Sequence, residues 1–283
     1  MERILYLAII QAVSFFSFSA SAQTTVKGHV VNERGEAVEY VSIGFEEDSV
    51  GVISDARGHF VLDIPAGRKD DLSFSHVSYQ TETVPFHVYS QTNELTVKLK
   101  DKVVELSEVV IGKKSKPQTL SGKSWVGFGV AGFISGVSYT NNYEWGPIFS
   151  NSKDYVLSDI LIMVKECLFE QCTLSFNVYE VHGQRFVNVL NMPIYQVVSP
   201  ADNGKLLDVT PTENIVLKGT QKYCICLSIV DTKGKGAIYF PLTFKSSYAR
   251  NTVKGKRRKL PACPSIMVKG YKMNDGYADG DEM

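Results

Sequence analysis

Val26-Lys27-Gly28-His29-Val30-Val31-Asn32-Glu33-Arg34-Gly35, with Ser54-Asp55-Ala56-Arg57-Gly58-His59-Phe60 downstream, is the stretch whose reading decides the fold. Residues 27–31 read as a strand, and Glu33-Arg34-Gly35-Glu36 as a tight turn in which glycine takes positive φ. Tyr40 to Phe45 places Val41, Ile43 and Phe45 on one face, the period-two pattern of a half-buried strand. Asp55-Ala56-Arg57-Gly58 reads as a second turn. There the Asp55 side chain folds back onto turn amides and Gly58 occupies a left-handed position. Phe60, Leu62 and Ile64 continue one face until Pro65-Ala66-Gly67 closes the strand, and 72–76 and 95–99 supply further strands.

Working outward, Met1–Ala22 has the organisation of a cleavable export signal, with Arg3 ahead of an apolar run and Ala20-Ser21-Ala22 as the small-residue cleavage site. The apolar run is about 15 residues, short of the ~20 needed to span a bilayer. The mature chain, beginning at Gln23, is long enough for two ordinary domains, each with its own core. Residues 23–112 carry 8 basic and 15 acidic side chains, and residues 113–283 carry 21 and 14, so the halves have opposite net charge. Such a dipole orients a partner or docks the halves, although two independently solvated faces explain it equally well. Nucleic acid is not an expected partner of an exported chain.

Gly28, Gly35, Asp55, Gly58, Phe60, Pro65 and Gly67 together resemble the signature of the carboxypeptidase-regulatory-like domain, found in the Bacteroidetes envelope. The resemblance covers residues 23–112 and departs from the family at Ser78, where a glycine is usual. It implies a seven-stranded, transthyretin-like sandwich that serves scaffolding and interaction and has no catalytic residues. Leu106–Gly112 is similar to segments that follow this domain in TonB-dependent outer-membrane receptors, but too few residues remain for a receptor barrel.

The chain is accordingly read as all-β. A signal (1–22), the transthyretin-like sandwich (23–112) and a polar linker (113–122) precede a second β-sandwich or jelly roll (123–270). An acidic flexible tail (271–283) follows. In the second domain, strands are expected over 155–164, 173–181, 186–190, 206–209, 223–230 and 237–244, with no helical period between them. Tyr139, Tyr143 and Trp145, in a loop-like stretch with Asn141, Asn142 and Glu144, are candidate ligand-binding aromatics for a sugar. Packing beneath a loop is the competing reading.

Cys167, Cys172, Cys224, Cys226 and Cys263 all fall after residue 123. Cys167 and Cys172 are a candidate disulfide across a hairpin, whereas Cys224 and Cys226 read as small buried apolar residues. No cofactor is expected and no metal signature is present. The acidic tail is a faint calcium candidate, and the sequence has no serine elbow, phosphate loop or dinucleotide fingerprint. His182 is the histidine to inspect if the second domain is a hydrolase. The basic run 254–259 reads as a solvated loop or an anion-binding surface.

These readings point to an exported, non-enzymatic interaction or scaffold protein, located in the periplasm or at the outer membrane. Its expected partner is an envelope protein or outer-membrane transporter. Capture of a glycan is the alternative, and a hydrolase the third class.

Overall fold

The computed structural model describes residues 24–45, 50–92, 94–102, 116–122, 129–135, 143–251 and 257–273. The export signal, Tyr139, the segment 106–112 and the acidic residues of the tail lie outside the described residues. Within them the protein is built almost wholly of β-strands.

The amino-terminal unit contains β1 (Thr24–Asn32), β2 (Ser42–Gly44), β3 (Gly51–Ile53), β4 (His59–Ile64), β5 (Leu72–Ser75) and β6 (Glu82–Val84). A one-turn helix, α1 (Phe86–Tyr89), and β7 (Leu95–Leu99) complete it. One sheet runs β4-β1-β7 and the other β3-β2-β5-β6. The alternation expected on β4 is present: Phe60, Leu62 and Ile64 point inward and their neighbours face solvent. They meet Val41, Ile43, Phe45, Leu72 and Phe74 of the opposite sheet in one core. The helix was not anticipated. It has only four residues, too few to display a period, and is held by Tyr89, whose hydroxyl donates to the Asp70 carbonyl at 2.7 Å.

The turn at 55–58 carries two of the signature residues. The Asp55 carboxylate accepts from the Arg57 and His59 amides, both at 2.8 Å, and Gly58 takes φ +76° with the Val30 carbonyl against its α-carbon. Gly28 serves a different purpose. It sits in β1 where the parallel partner β7 crosses, and a Cβ there would lie 1.9 Å from the Leu95 carbonyl oxygen.

The second unit comprises β8 (Gln118–Ser121), β9 (Val130–Ile134), β10 (Tyr143–Ser150), β11 (Tyr155–Met163), β12 (Glu166–Cys167), β13 (Gln171–His182), β14 (Arg185–Asn188) and β15 (Ile194–Val198). It continues through β16 (Leu206–Val209), β17 (Val216–Leu217), β18 (Lys222–Lys233), β19 (Ala237–Thr243), β20 (Ser247–Asn251), β21 (Arg258–Leu260), β22 (Cys263–Pro264) and β23 (Ile266–Lys272). A large sheet runs β14-β13-β18-β10-β20-β21, with β15 also on β13. Opposite it lie the sheet β16-β11-β23-β8 and the smaller sheet β12-β19-β22. Leu174, Phe176 and Val178 of β13 and Ile225 and Leu227 of β18 meet Ile160, Ile162, Phe240 and Val268 in the core between these layers. β8 falls inside the stretch read as linker: its short polar sequence hides a strand that closes the β23 edge.

The substitution Gly28→Ala should lower stability by about 2 kcal/mol, because the new methyl collides with backbone that cannot rotate away. Chemical denaturation of the two proteins, compared at equal m-value, measures the difference.

Candidate functional site

The large sheet has two unlike faces. One is the apolar core just described; the other, carried by alternate residues of the same strands, is polar and holds a buried ion pair. Glu144 on β10 stands opposite Ser228 of β18 and opposite Arg250 of β20, and is fully buried. Arg250 Nε donates to Glu144 Oε1, and its Nη2 donates to the Tyr179 hydroxyl at 2.5 Å. Tyr179 in turn donates to Glu144 Oε2 at 3.0 Å, and the Asn177 amide donates to the same oxygen at 3.2 Å. Asn188 Nδ2 then donates to Asn177 Oδ1 at 2.9 Å.

Burial opposes the charge on Arg250, but Glu144 and Tyr179 outweigh it and raise its pKa above the usual value. Burial pushes the Tyr179 hydroxyl well up, so it remains a donor. Tyr179 packs with Cys224 and Cys226 beneath Phe186 and Tyr248, which shields the network.

The amino-terminal sandwich covers part of this polar face. Between them lies a cavity of about 400 Å³, walled on one side by Tyr40, His76, Tyr79 and Gln80 and on the other by Asn177, Tyr195 and Arg250. Tyr40 takes φ +53°, unusual for a bulky residue, and its ring meets Tyr195 edge-on at 5.1 Å. Its hydroxyl lies 3.5 Å from the Asp231 carboxylate of β18. Tyr195 also reaches His76 Nε2 at 3.5 Å, and Val77 packs against the second core. A second cavity of about 330 Å³ continues the seam past β3 and shares Ile53 and Val230 with the first.

His76 accepts from the Ser78 amide through Nδ1 at 3.2 Å, an arrangement that requires the neutral ring. Burial, and then the nearby Lys102, lower its pKa from 6.5 to about 4.

A family model described as a CarboxypepD_reg-like domain matches residues 26–111. Residues 26–111 are a carboxypeptidase-regulatory-like domain. No curated protein matches the chain. Among solved structures, a chain from infectious bursal disease virus, Gx strain, is 8% identical with a TM-score of 0.20. That alignment covers 90% of this chain and 61% of the viral one, and its TM-score is too low to bear on the fold.

The regulatory-like domain is a non-catalytic β-sandwich. It contributes His76, Tyr40, Tyr79 and Lys102 to the cleft, none of them among its signature residues. The Ser78 amide donates to His76 Nδ1 and its carbonyl accepts from the Lys102 amide, so Ser78 braces two residues that line the cleft.

Several expected sites move. Tyr143 and Trp145 are not on a loop: both lie in β10, half-buried, between β18 and β20. The Trp145 indole donates to the Ala262 carbonyl at 3.0 Å, and Tyr143 packs on the core. Cys167 and Cys172 are free thiols. They do not sit on mutually paired strands, since β12 pairs with β19 while β13 pairs with β15 and β18, yet the two thiols are neighbours: after burial, Cys167 is what raises the Cys172 pKa.

Cys224 and Cys226 are buried as expected, their sulfurs 3.4 Å apart. Each thiol whose acidity is displaced is displaced upward: Cys172 and Cys263 chiefly by burial, the latter to about 12, and Cys226 by its contact with Cys224 and by burial. Such thiols are poor nucleophiles. His182 is half-exposed and its Nε2 lies 3.0 Å from Glu180 Oε1 at a strand end. Among the described residues, no group of three or more His, Cys, Asp or Glu side chains is placed to hold a metal ion.

The residues that line the cleft come from separated strands, and pattern reading assigned most of them to ordinary strand or turn positions. One clue was available: Glu144 is a lone charge in the otherwise largely apolar segment Tyr143–Phe149.

Replacing Arg250 by Met should destabilise the protein by about 3–5 kcal/mol, since it strands a buried carboxylate, and the double change Glu144→Leu/Arg250→Met should recover most of that loss. Thermal melts of the three proteins test this coupling. In the unfolded chain His76 titrates near 6.5 and in the fold near 4, so between those values only the unfolded state binds the proton. Stability should therefore fall as pH drops from 6.5 to 4, by up to about 1.4 kcal/mol per unit, and His76→Gln should remove this component.

Proposed function

We propose that this chain is an exported, non-enzymatic binding protein of the cell envelope that holds its ligand in the cleft between its regulatory-like domain and its second sandwich. The observation that carries the reading is the 400 Å³ cavity, because both domains wall it and its lining joins aromatic rings to convergent polar groups. That size and mixture suit a small ligand or a segment of a polymer. The regulatory-like domain acts as a rigid wall, as its scaffolding character implies, and the ion-paired sheet supplies the second wall.

The export signal expected at residues 1–22 supports a place in the periplasm or on the outer membrane. Among the described residues no helix is long and apolar enough to cross a membrane. A binding role agrees with thiols of raised pKa and with a second-domain histidine whose side chain pairs with a carboxylate. The occupant of the cleft is either an envelope partner's segment or a glycan.

A photo-reactive amino acid introduced at Gln80, on the cleft rim, should cross-link an envelope component in living cells. The same probe at Val61, which is 55% exposed on the outer face of β4, should give no adduct. Adducts from Val61 without any from Gln80 would move the binding surface to the sheet edge and reject the cleft.

A further inference from the structure

We infer that the cleft takes an uncharged saccharide, whose hydroxyl groups are received by serines from both walls. This rests on the reading of the cleft as a ligand site and names the chemistry of its occupant.

The floor is one cross-strand row of the large sheet. Arg250 of β20 stands opposite Glu144 of β10, which stands opposite Ser228 of β18. Ser228 in turn pairs with Ser175 of β13, and Ser175 with Tyr195 of β15. Residues directly opposite one another share a face, so these five side chains lie on the polar side. Large side chains stand at the two ends of the row and two serines between them. The roof repeats the arrangement: Ser42 of β2 pairs with Ser75 of β5, while their neighbours Ile43 and Phe74 belong to the amino-terminal core. All four serines line the 400 Å³ cavity, which larger side chains at these positions would fill.

Charge is spent before it reaches this space. Among the described lining residues the charged side chains are Arg250 and Lys102, with no Asp or Glu. Arg250 is neutralised by Glu144 and donates to Tyr179. Lys102 is solvent-exposed, with Nζ 3.3 Å from the Val77 carbonyl, and water and salt screen a cation so placed. His76 is neutral above its pKa of about 4. A charged ligand entering the cleft would lose its hydration without an opposite charge to replace it. An uncharged one meets no such penalty.

Recognition is then left to side-chain hydroxyls and amides. The Ser75, Ser175 and Ser228 hydroxyls make no hydrogen bond to another described residue. Asn177 and Asn188 each donate one amide hydrogen within the buried network and carry a second. A peptide bound by strand addition would instead need an open sheet edge. β2, β5, β13 and β18 each have a strand on either side, so none of them offers one. A sugar hydroxyl both donates and accepts, as a serine does, and Tyr79 and Tyr195 supply aromatic surface for the apolar C–H faces of the ring. The carbohydrate reading thus moves from Tyr143 and Trp145 to the seam.

A printed array of neutral, carboxylated, sulfated and amino glycans, probed with the full mature chain, tests this. Signal is expected on neutral glycans. Calorimetric titration with the strongest of them should give a Kd that changes less than about twofold between low salt and about 0.5 M. Ser75→Ala on the roof and Ser175→Ala on the floor should each weaken that binding about three- to tenfold, the worth of one net hydrogen bond. Their thermal melts should match the parent, because neither hydroxyl bonds another described residue.

Signal on charged glycans without neutral ones, or affinity that falls more than about tenfold over that salt range, would overturn the uncharged ligand. A neutral glycan bound equally by the parent and both serine variants would overturn its placement on the serines. Absence of glycan signal while Gln80 still cross-links an envelope protein in cells would overturn the saccharide and leave the cleft as the ligand site. Absence of both would reject the cleft itself.

Discussion

The large sheet of the second domain must satisfy opposite demands on its two faces, and most of the structure follows from how it does so. Toward the core its strands present Leu174, Phe176, Val178, Ile225 and Leu227; on the reverse, the same strands carry Asn177, Tyr179, Ser228, Glu144 and Arg250. A buried carboxylate is tolerable only when its charge is balanced and its lone pairs are occupied. Glu144 meets both conditions through three donors, two on β13 across the intervening β18 and one on the adjacent β20, which ties β10, β13 and β20 together side chain to side chain. Such a network adds geometric definition beyond the backbone ladder.

A face of this kind differs from an ordinary solvated surface. It is rigid and polar, and it is covered in part by another domain through a few specific contacts: Tyr40 with Tyr195, His76 with Tyr195, and Val77 on the second core. The cover is incomplete, and the space that remains is the cleft. The regulatory-like domain, itself a non-catalytic β-sandwich, thereby walls a cavity. Its contribution is a wall whose shape comes from two sheets, and whose seam residues sit on β5, on the loop that follows it and at the unusual Tyr40 backbone.

Much of the amino-terminal half was legible because its signals are local. The Asp55–Gly58 turn, the inward row Phe60, Leu62 and Ile64, and the buried alternation of Val41, Ile43 and Phe45 depend on residues a few positions apart. In the second half strand positions were readable, including 206–209 and the long runs of β13 and β18. Partners were not. The segment 167–172 reads as a hairpin with facing cysteines, yet its two strands join different sheets. Trp145 reads as a loop aromatic because Asn141, Asn142 and Glu144 stand close to it, yet it lies in β10, where Gly146 lets the Ile225 backbone approach.

The sequence by itself determined the all-β class, the regulatory-like signature and the register of inward and outward side chains, since each rests on turn chemistry and a period of two. Only the tertiary structure decided which strands lie side by side. Glu144, Tyr179 and Arg250 are separated by 35 and 71 residues along the chain and become one hydrogen-bonded unit only through β-pairing. The cleft is a further step removed, because it belongs to neither domain. It exists where two independently patterned surfaces meet, and no local pattern in either half encodes the shape of the gap between them.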